Sequence, residues 1–494
     1  MTNFSSIFWA SLALCGAVTF RSSDYYKKIS QRNIGNKGVE EEEGLSGDIK
    51  KAHNKLLKKY LVVYLLATLS DWLQGPYVYA LYSDYGFEQK QIAQLFVAGF
   101  GSSMVFGSFV GSVADKGGRR LFVIIFAAVY LASCITKHFK NYNMLMLGRL
   151  LGGVSTSLLF SVFEAWLIKA HADADLPKQC LPKSFSWAAF GNSATAIVAG
   201  LVANKIAHAE PMVPVTDVIY KGGFLNPFDL AIVVLIFCGG GAFLLWEENY
   251  GDDGGDDGET NAKKNGKWHS SLKNALTTTL RNRDIVLCGV ISSLFEGSMY
   301  IFVFMWTPLL KDFLKEGDED LPFGLIFATF MVCCMTGSSL FSILVEKITV
   351  EKLGIFVVGV GAIGMAIVAL EVSDTVSFLG MNLFEICVGM YFPIMGTMKG
   401  GIVPENSRVA IYNLYRIPLN FIVLFSLLTE LTPRFSFMLN GTMLTIATVL
   451  QVVLSKRRLV SLGIQEKNSS SLTEDTAPLV DMSDGSSTES PSVV

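Results

Sequence analysis

Long apolar stretches of about twenty residues dominate this chain and limit it to a small set of folds. Of its 494 residues, 51% are apolar and 17% are charged, which leaves too little polar surface to cover a soluble protein of this size. Such a stretch crosses roughly 30 Å of hydrocarbon as a helix, whereas a membrane barrel needs alternating segments of about ten residues. That alternation does not dominate here, so we expect an all-helical, polytopic membrane protein.

The apolar stretches predict six membrane-spanning helices in each half of the chain. Those of the first half are expected near residues 60–81, 92–113, 121–139, 143–168, 184–206 and 228–246. Those of the second half are expected near residues 285–309, 322–346, 353–371, 376–399, 409–430 and 435–455. The polar segment 247–284 between them carries an acidic, glycine-rich run and then lysines, a composition that cannot form a core. Two six-helix bundles are the expected architecture.

A further apolar stretch, residues 7–20, precedes the first bundle. Arg21 and Lys27 follow it and no basic residue precedes it, which favours an uncleaved anchor with its N-terminus outside over a signal peptide. With the first bundle starting inside, most of the 40 Lys and Arg residues fall on the cytoplasmic side. The predicted organisation is an anchor at 1–20, a cytosolic linker at 21–59, bundles at 60–246 and 285–455, a cytosolic loop at 247–284 and a disordered cytosolic tail at 456–494.

A short glycine-rich segment lies between the second and third predicted helices. It reads Gly111-Ser-Val-Ala-Asp115-Lys116-Gly117-Gly118-Arg119-Arg120. The segment fits the pattern Gly-x-x-x-Asp-(Arg/Lys)-x-Gly-Arg-(Arg/Lys), and so the chain resembles the major facilitator superfamily of secondary transporters. Glycines permit a sharp turn there, while Asp115 and Arg119 stay near the interface and can pair across helices. We interpret Gly111, Asp115, Gly118 and Arg119 as gate and stability residues. The matching loop of the second half, 345–353, departs from the pattern, which argues against a symmetrical inner gate.

Ionisable residues within the predicted helices are the main functional signal, because each costs about 3 kcal/mol in hydrocarbon and such groups face a partner or a watery cavity. Six occur: Asp71, Arg149, Glu164, Glu296, Glu385 and Arg416. Their positions show an internal repeat, because Asp71 and Glu296 lie near the middle of the first helix of each half. Arg149 and Glu385 each precede a glycine by four residues, which predicts opposite charges at equivalent sites that meet or share a ligand.

The two arginines favour an anionic substrate. Guanidinium matches carboxylate, phosphate and similar tetrahedral anions in bidentate fashion. Asn413 and Asn420 flank Arg416 at helical spacing and add polar groups to the same face. We therefore predict that Arg149, Arg416, Asn413 and Asn420 bind substrate. The acids Asp71, Glu164, Glu296 and Glu385 are candidates for proton coupling or for charge pairs that lock helices.

Signs of enzyme chemistry are missing from the sequence. Seven of the eight cysteines lie in apolar stretches without a Cys-x-x-Cys pair, and the five histidines are scattered, as we read them over loops, without ligand spacing. No phosphate-binding Gly-x-x-x-x-Gly-Lys-(Ser/Thr) loop occurs. We expect no catalytic residues, metal site or cofactor and no nucleic-acid partner; the expected partners are the lipid bilayer, a small anion and protons.

Several longer strings resemble one branch of the superfamily, the molybdate-anion transporter family. They are residues 71–77, 148–156, 159–166, 301–308 and 391–393, and the resemblance runs from about residue 55 to residue 455. It implies import of molybdate across the cell membrane. Because a dianion enters against an inside-negative potential, we expect its uptake to be coupled to protons. The residues alone also suit sulfate, phosphate or a carboxylate. Two alternatives stay open: a carrier of sugars or other neutral solutes, and a membrane sensor that signals through its loop and tail without transport.

Overall fold

In a computed structural model, the residues described are 3–23, 47–107, 110–177, 180–250, 276–314, 320–345, 347–404, 408–429 and 431–474. One helix, α1 (Phe4–Ser22), precedes the first half. The first half contains α2 (Gly47–Gln74), α3 (Val78–Asp84), α4 (Gln89–Gly107), α5 (Val110–Gly117), α6 (Arg119–Thr136), α7 (Tyr142–Leu159), α8 (Val162–Asp173), α9 (Cys180–Ala207) and α10 (Asn226–Leu245). The second half contains α11 (Arg283–Lys311), α12 (Phe323–Leu344), α13 (Val350–Ala369), α14 (Asp374–Ile402), α15 (Arg408–Leu428) and α16 (Pro433–Glu474). A small hairpin, β1 (Val213–Pro214) with β2 (Tyr220–Lys221), lies between α9 and α10.

Two of the predicted spans are broken helices. The first changes to a 3-10 turn at Gly75–Tyr77, where Pro76 removes a backbone donor, and then continues as α3. The fourth breaks between α7 and α8. Four hydroxyls at this break donate to the carbonyl four residues earlier: those of Ser155, Thr156 and Ser157 near the end of α7, and that of Ser161 in the break itself. Such back-bonding bends helices. The predicted continuous helix 143–168 is therefore two segments.

Ten helices among the described residues are long and apolar enough to cross a membrane, including α1. The segments around α2, α4 and α15 do not meet that criterion. In α15 the apolar part, Leu414–Leu428, is shorter than the 18 residues required. The last helix, α16, runs on to Glu474, beyond the predicted span 435–455. The first part of the predicted disordered tail is therefore helical, and residues 475–494 lie outside the described part of the chain. So do residues 251–275 of the predicted loop.

Glycines bring equivalent helices of the two halves into backbone contact. A Cβ at Gly153 on α7 would lie 2.3 Å from the Gly99 carbonyl oxygen on α4. A Cβ at Gly389 on α14 would lie 1.9 Å from the Cys334 carbonyl oxygen on α12. Only glycine fits at such crossings. The internal repeat seen in the sequence is therefore a repeat of helix crossings.

The additional helix α1 packs on the second half, against α12. Phe8 and Cys15 are buried with Ala328 and Val332. The Thr19 and Ser339 hydroxyl oxygens lie 3.0 Å apart, and the ring of Phe4 contacts the ring of Phe378 at a centroid distance of 5.1 Å. Small and polar side chains are common at helix contacts within membranes. The helix is thus an integral part of the second bundle.

The described contacts between the two halves gather at one end of the helices, opposite the Asp115 loop. The Lys311 ammonium donates to the Ser83 hydroxyl at 3.2 Å, and the Gly324 amide donates to the Tyr77 hydroxyl at 3.3 Å. Tyr79 packs edge-on against Phe304 at a centroid distance of 5.5 Å. Nearer the Asp115 loop, the Asn420 amide of α15 donates to the Met104 sulfur of α4 at 2.7 Å. Most of the described contacts between the halves therefore lie at the end opposite that loop, which is the closed end.

Candidate functional site

Arg149 lies on α7 and points at α4. Its Nε donates to the Leu95 carbonyl at 3.2 Å, and its guanidinium carbon lies 4.6 Å from the centroid of the Phe96 ring. Gly99 gives it room, since a Cβ there would come within 2.7 Å of the guanidinium. In the part of the chain that the structure describes, no carboxylate lies within ion-pair distance of Arg149. The guanidinium thus keeps donors that no acid occupies.

Asp71 lies on α2, facing α6, and accepts a hydrogen bond of 2.5 Å from the Tyr130 hydroxyl. It interacts with Arg149 electrostatically without forming an ion pair. The acid predicted from the sequence is therefore present in the interior of the first bundle, fixed by a tyrosine that sequence reasoning did not single out. This bond holds Asp71 beside the arginine while the arginine stays unpaired.

A buried lysine, Lys137, is a third charged group of this cluster, and the sequence interpretation missed it. Only 2% of the residue is exposed, and its Nζ donates to the Tyr82 hydroxyl at 2.8 Å. A Cβ at Gly148, next to Arg149, would lie 3.2 Å from that Nζ. Lys137 lies inside the predicted span 121–139. An ionisable residue within a predicted helix was the sequence signal that could have identified it.

Glu296 lies on α11, and three side chains donate to its carboxylate. Its Oε1 accepts from the Ser292 hydroxyl at 2.7 Å, from the Tyr391 hydroxyl at 3.0 Å and from the Lys399 ammonium at 3.3 Å. Lys399, the last residue of the predicted span 376–399, thereby neutralises Glu296, and the pair joins α11 to α14.

Glu385 lies on α14, and only 5% of it is exposed. Its electrostatic neighbours are Cys333 and Cys334 of α12, and the Cys333 thiol donates to the Asn382 amide oxygen at 3.7 Å. Among the described residues, no basic side chain lies within ion-pair distance of this carboxyl group. Glu385 also does not meet Arg149, because each faces a neighbouring helix of its own half.

Arg416 is exposed on α15, a helix that packs against α4 of the other half. The Asn420 amide donates to the Met104 sulfur at 2.7 Å. Arg416 interacts electrostatically with Tyr300, whose ring meets Phe100 at a centroid distance of 5.3 Å. Within the described ranges, no carboxylate pairs with Arg416. The side chain of Asn413 lies outside the described residues. Arg149 therefore contacts α4 directly, whereas Arg416 lies on the helix of the other half that packs against α4.

Glu164 does not share a straight helix with Arg149, as the sequence had suggested, because the break at Phe160 intervenes. It is exposed on α8, where Tyr60 and Tyr64 are its electrostatic neighbours. Of the four acids it is the most exposed. That exposure makes it a useful control for the buried acids.

The glycine-rich motif contains an ion pair between Asp115 and Arg119, here called the Asp115–Arg119 lock. Arg119 donates to the Asp115 carboxylate at 2.6 Å and to the Ala165 carbonyl of α8 at 3.0 Å. Gly118 has a φ of +100°, which favours glycine, while Gly111 lies in α5. The carboxylate of Glu248 accepts from the Arg120 and Leu121 amides at 2.8 and 3.2 Å, an anionic cap on α6 that the sequence analysis did not predict.

Two histidines that the sequence analysis placed in loops lie in helices. His53 on α2 and His171 on α8 both meet the Ser184 hydroxyl at 2.9 Å. Burial, with a contribution from Lys183, lowers the pKa of His53, so the neutral imidazole is favoured there. No group of three or more potential metal ligands occurs among the described residues, and the cysteines there are free thiols.

Sequence comparisons place the chain among transporters. Residues 41–390 match a family model described as sugar transporters with twelve transmembrane segments. Molybdate-anion transporters are similar to it: that of Takifugu rubripes is 32% identical, over 78% of this chain and 81% of the relative, and that of Danio rerio is 34% identical, over 76% and 79%.

Solved structures have the same fold. The D-xylose-proton symporter superposes with a TM-score of 0.59 at 15% identity, over 81% of this chain and 96% of the symporter. The nucleoside transporter NupG gives a TM-score of 0.57 at 11% identity, over 83% and 98%. The fold is therefore the two-bundle major facilitator fold of a multi-pass membrane protein. The chain belongs to the molybdate-anion transporter family of the major facilitator superfamily.

Proposed function

We propose that this protein imports molybdate, or a closely related tetrahedral oxyanion, and acts as a carrier and not as an enzyme. The observation that carries the proposal is that Arg149 and Arg416, one from each half, have no carboxylate partner among the described residues. Unpaired guanidinium groups at membrane depth are costly unless a ligand or water meets them. The names of the relatives point to the same substrate class.

Alternating access is the mechanism that the one-sided contact pattern supports. Lys311–Ser83 and Gly324–Tyr77 hold the halves together at one end, while the Asp115–Arg119 lock lies within the first half at the other end. Rocking the bundles about the substrate would break the first set of contacts and bring the opposite ends together. Asn413 and Asn420 would then line the route beside Arg416.

Proton coupling follows from the charge of the substrate. A dianion that enters against an inside-negative potential costs about 2.3 kcal/mol per charge per 100 mV, so inward movement requires co-moving cations. Of the four acids, Glu296 is held by Lys399 and Asp71 by Tyr130, whereas Glu385 is buried without a cation. We assign the coupling proton to Glu385.

The topology completes the proposal. The chain would reside in the cell membrane with its N-terminus outside and with the loop 247–284 and the C-terminus in the cytosol, as the distribution of Lys and Arg favours. The Asp115–Arg119 lock would then face the cytosol, and the closed end would face outward. On this assignment the structure is an inward-facing state.

The test is uptake of labelled molybdate into cells that express the chain, with sulfate and an unlabelled sugar as competitors. We expect saturable uptake that excess sugar leaves unchanged and that Arg416→Gln abolishes. Uptake equal to that of untransfected cells, with the protein present at the surface, would contradict the proposal.

A sugar carrier is the second candidate, because the matching family model is described as sugar transporters. Amides that would bind hydroxyls are partly engaged already: the Asn192 oxygen accepts from the Trp72 indole at 2.8 Å, and the Gln74 amide donates to the Ser70 carbonyl at 2.9 Å. A sugar carrier would keep most of its transport in Arg416→Gln, and its molybdate uptake would be absent in both forms.

A further inference from the structure

Lys137 is a buried lysine without a negatively charged partner among the described residues, and packing alone does not explain its burial. The ammonium is buried, and its partner is a neutral hydroxyl, that of Tyr82, with the Nζ 5.4 Å from the centroid of the Tyr82 ring. A hydroxyl can fix the ammonium in place but cannot cancel its charge. Buried lysines are rare unless they are paired or functional. In the described residues, no acid lies within ion-pair distance of Lys137.

The two cations of the first half interact with each other, and no acid is paired with either. Arg149 and Lys137 interact electrostatically, and neither has an ion pair in the described part of the chain. Asp71, the acid that interacts with Arg149, accepts from the Tyr130 hydroxyl. An anion that binds to Arg149 would therefore also feel the charge of Lys137.

We propose that Lys137 sets the charge selectivity of the carrier, so that the site takes doubly charged tetrahedral oxyanions in preference to singly charged ones. This inference rests on the proposed oxyanion transport. With Lys137 an anion at Arg149 meets two neighbouring positive charges, and without it the anion meets one. In surroundings of low dielectric constant the ammonium acts over several ångströms, so it need not touch the substrate.

The position of Lys137 suits an electrostatic role. It lies beside Gly148, whose lack of a side chain leaves room for the ammonium, and Gly148 directly precedes Arg149. The backbone of Lys137 is fixed as well, since its carbonyl accepts from the Tyr85 hydroxyl at 2.8 Å. Lysine and arginine charges are thus held side by side on one wall of the first bundle, and Arg149 is the one assigned to contact the anion.

Molybdate and perrhenate provide the test, because both are tetrahedral and similar in size while their charges are −2 and −1. We expect the wild-type carrier to prefer molybdate. In Lys137→Met, uptake of molybdate should fall by about tenfold or more, while perrhenate uptake changes less than about threefold. Lys137→Arg should restore the preference, and Lys140→Met, which removes an exposed lysine nearby, should leave it unchanged.

The ratio of the two uptakes, measured on one preparation, does not depend on the amount of folded carrier. If Lys137→Met does not reach the membrane, Tyr82→Phe supplies the test, since the loss of the fixing hydroxyl should lower the same ratio. An unchanged ratio in Lys137→Met, or in Tyr82→Phe when only that variant reaches the membrane, would overturn the inference. A wild-type carrier that takes up neither anion would overturn the proposed function instead.

Discussion

The crossing of α7 with α4 in the first half and the crossing of α14 with α12 in the second half have the same backbone geometry and opposite charges. At each, a glycine meets a carbonyl oxygen of the neighbouring helix, and a charged residue lies one turn earlier. In the first half that residue is Arg149, amid Asp71, Tyr130 and Lys137. In the second half it is Glu385, next to two cysteines. The two halves therefore share the positions where the helices touch, and they differ in the charge of the residue one turn before each contact.

The largest expected effect tests whether the two crossings are equivalent in packing. Gly153→Ala and Gly389→Ala each place a Cβ against a carbonyl oxygen, so each should destabilise the carrier by about 3 kcal/mol. The yield of monodisperse protein in detergent and its unfolding temperature measure this. Gly396→Ala, at a position on α14 with no atom within 4 Å, is the control. A large loss of yield or unfolding temperature in only one of the two variants would show that the two crossings are not equivalent in packing.

The next effect concerns the charge of the first crossing. Arg149→Met should lower the ratio of maximal molybdate uptake to half-saturating concentration by roughly tenfold to a hundredfold, because charge-assisted hydrogen bonds to the anion disappear. Arg149→Lys keeps the positive charge but loses the planar guanidinium that binds an anion through two donors. Its ratio should therefore lie between those of Arg149→Met and the wild type. Concentration-dependent uptake, corrected for surface protein, gives the values. Normal uptake in Arg149→Met would remove this residue from the binding site.

The charge of the second crossing should affect coupling and not affinity. Proton-coupled import should run faster at acidic external pH. We expect Glu385→Gln to abolish this acceleration, while the half-saturating concentration changes less than about threefold. Initial rates over a range of external pH measure this. Glu164→Gln, which removes an exposed acid, should keep the wild-type pH profile. A profile that survives in Glu385→Gln would assign the proton to another acid.

The smallest expected effect concerns two ion pairs, one in each half, at the end of the molecule that carries Asp115. Asp115 contacts Arg119 at 2.6 Å, whereas Glu351 approaches Arg458 only to 3.7 Å. Asp115→Asn should slow transport about twofold to fivefold, as expected for the loss of a partly exposed ion pair, and Glu351→Gln should slow it less. Transport rates at saturating substrate measure this. Equal effects would mean that the second half has an inner gate of its own.

The sequence was informative where a residue's neighbours lie close in the chain. Apolar length predicted the helices, and the spacing of Arg149 and Glu385 from their glycines predicted a repeat that the crossings confirm. It was less informative where a contact joins distant segments. The pairing of Glu296 with Lys399 spans 103 residues, and the Lys137–Tyr82 bond spans 55. No local pattern marks such partners, and a lysine at the end of an apolar stretch reads as a surface residue.

The contact between α1 and α12 has a consequence for biosynthesis. The hydroxyls of Thr19 and Ser339 are neighbours in space but 320 residues apart in sequence. Translation therefore produces α1 long before α12, the helix against which it packs. The contact of α1 with the second bundle can form only after synthesis has passed α12, so chains that terminate earlier would leave the Thr19 hydroxyl without Ser339.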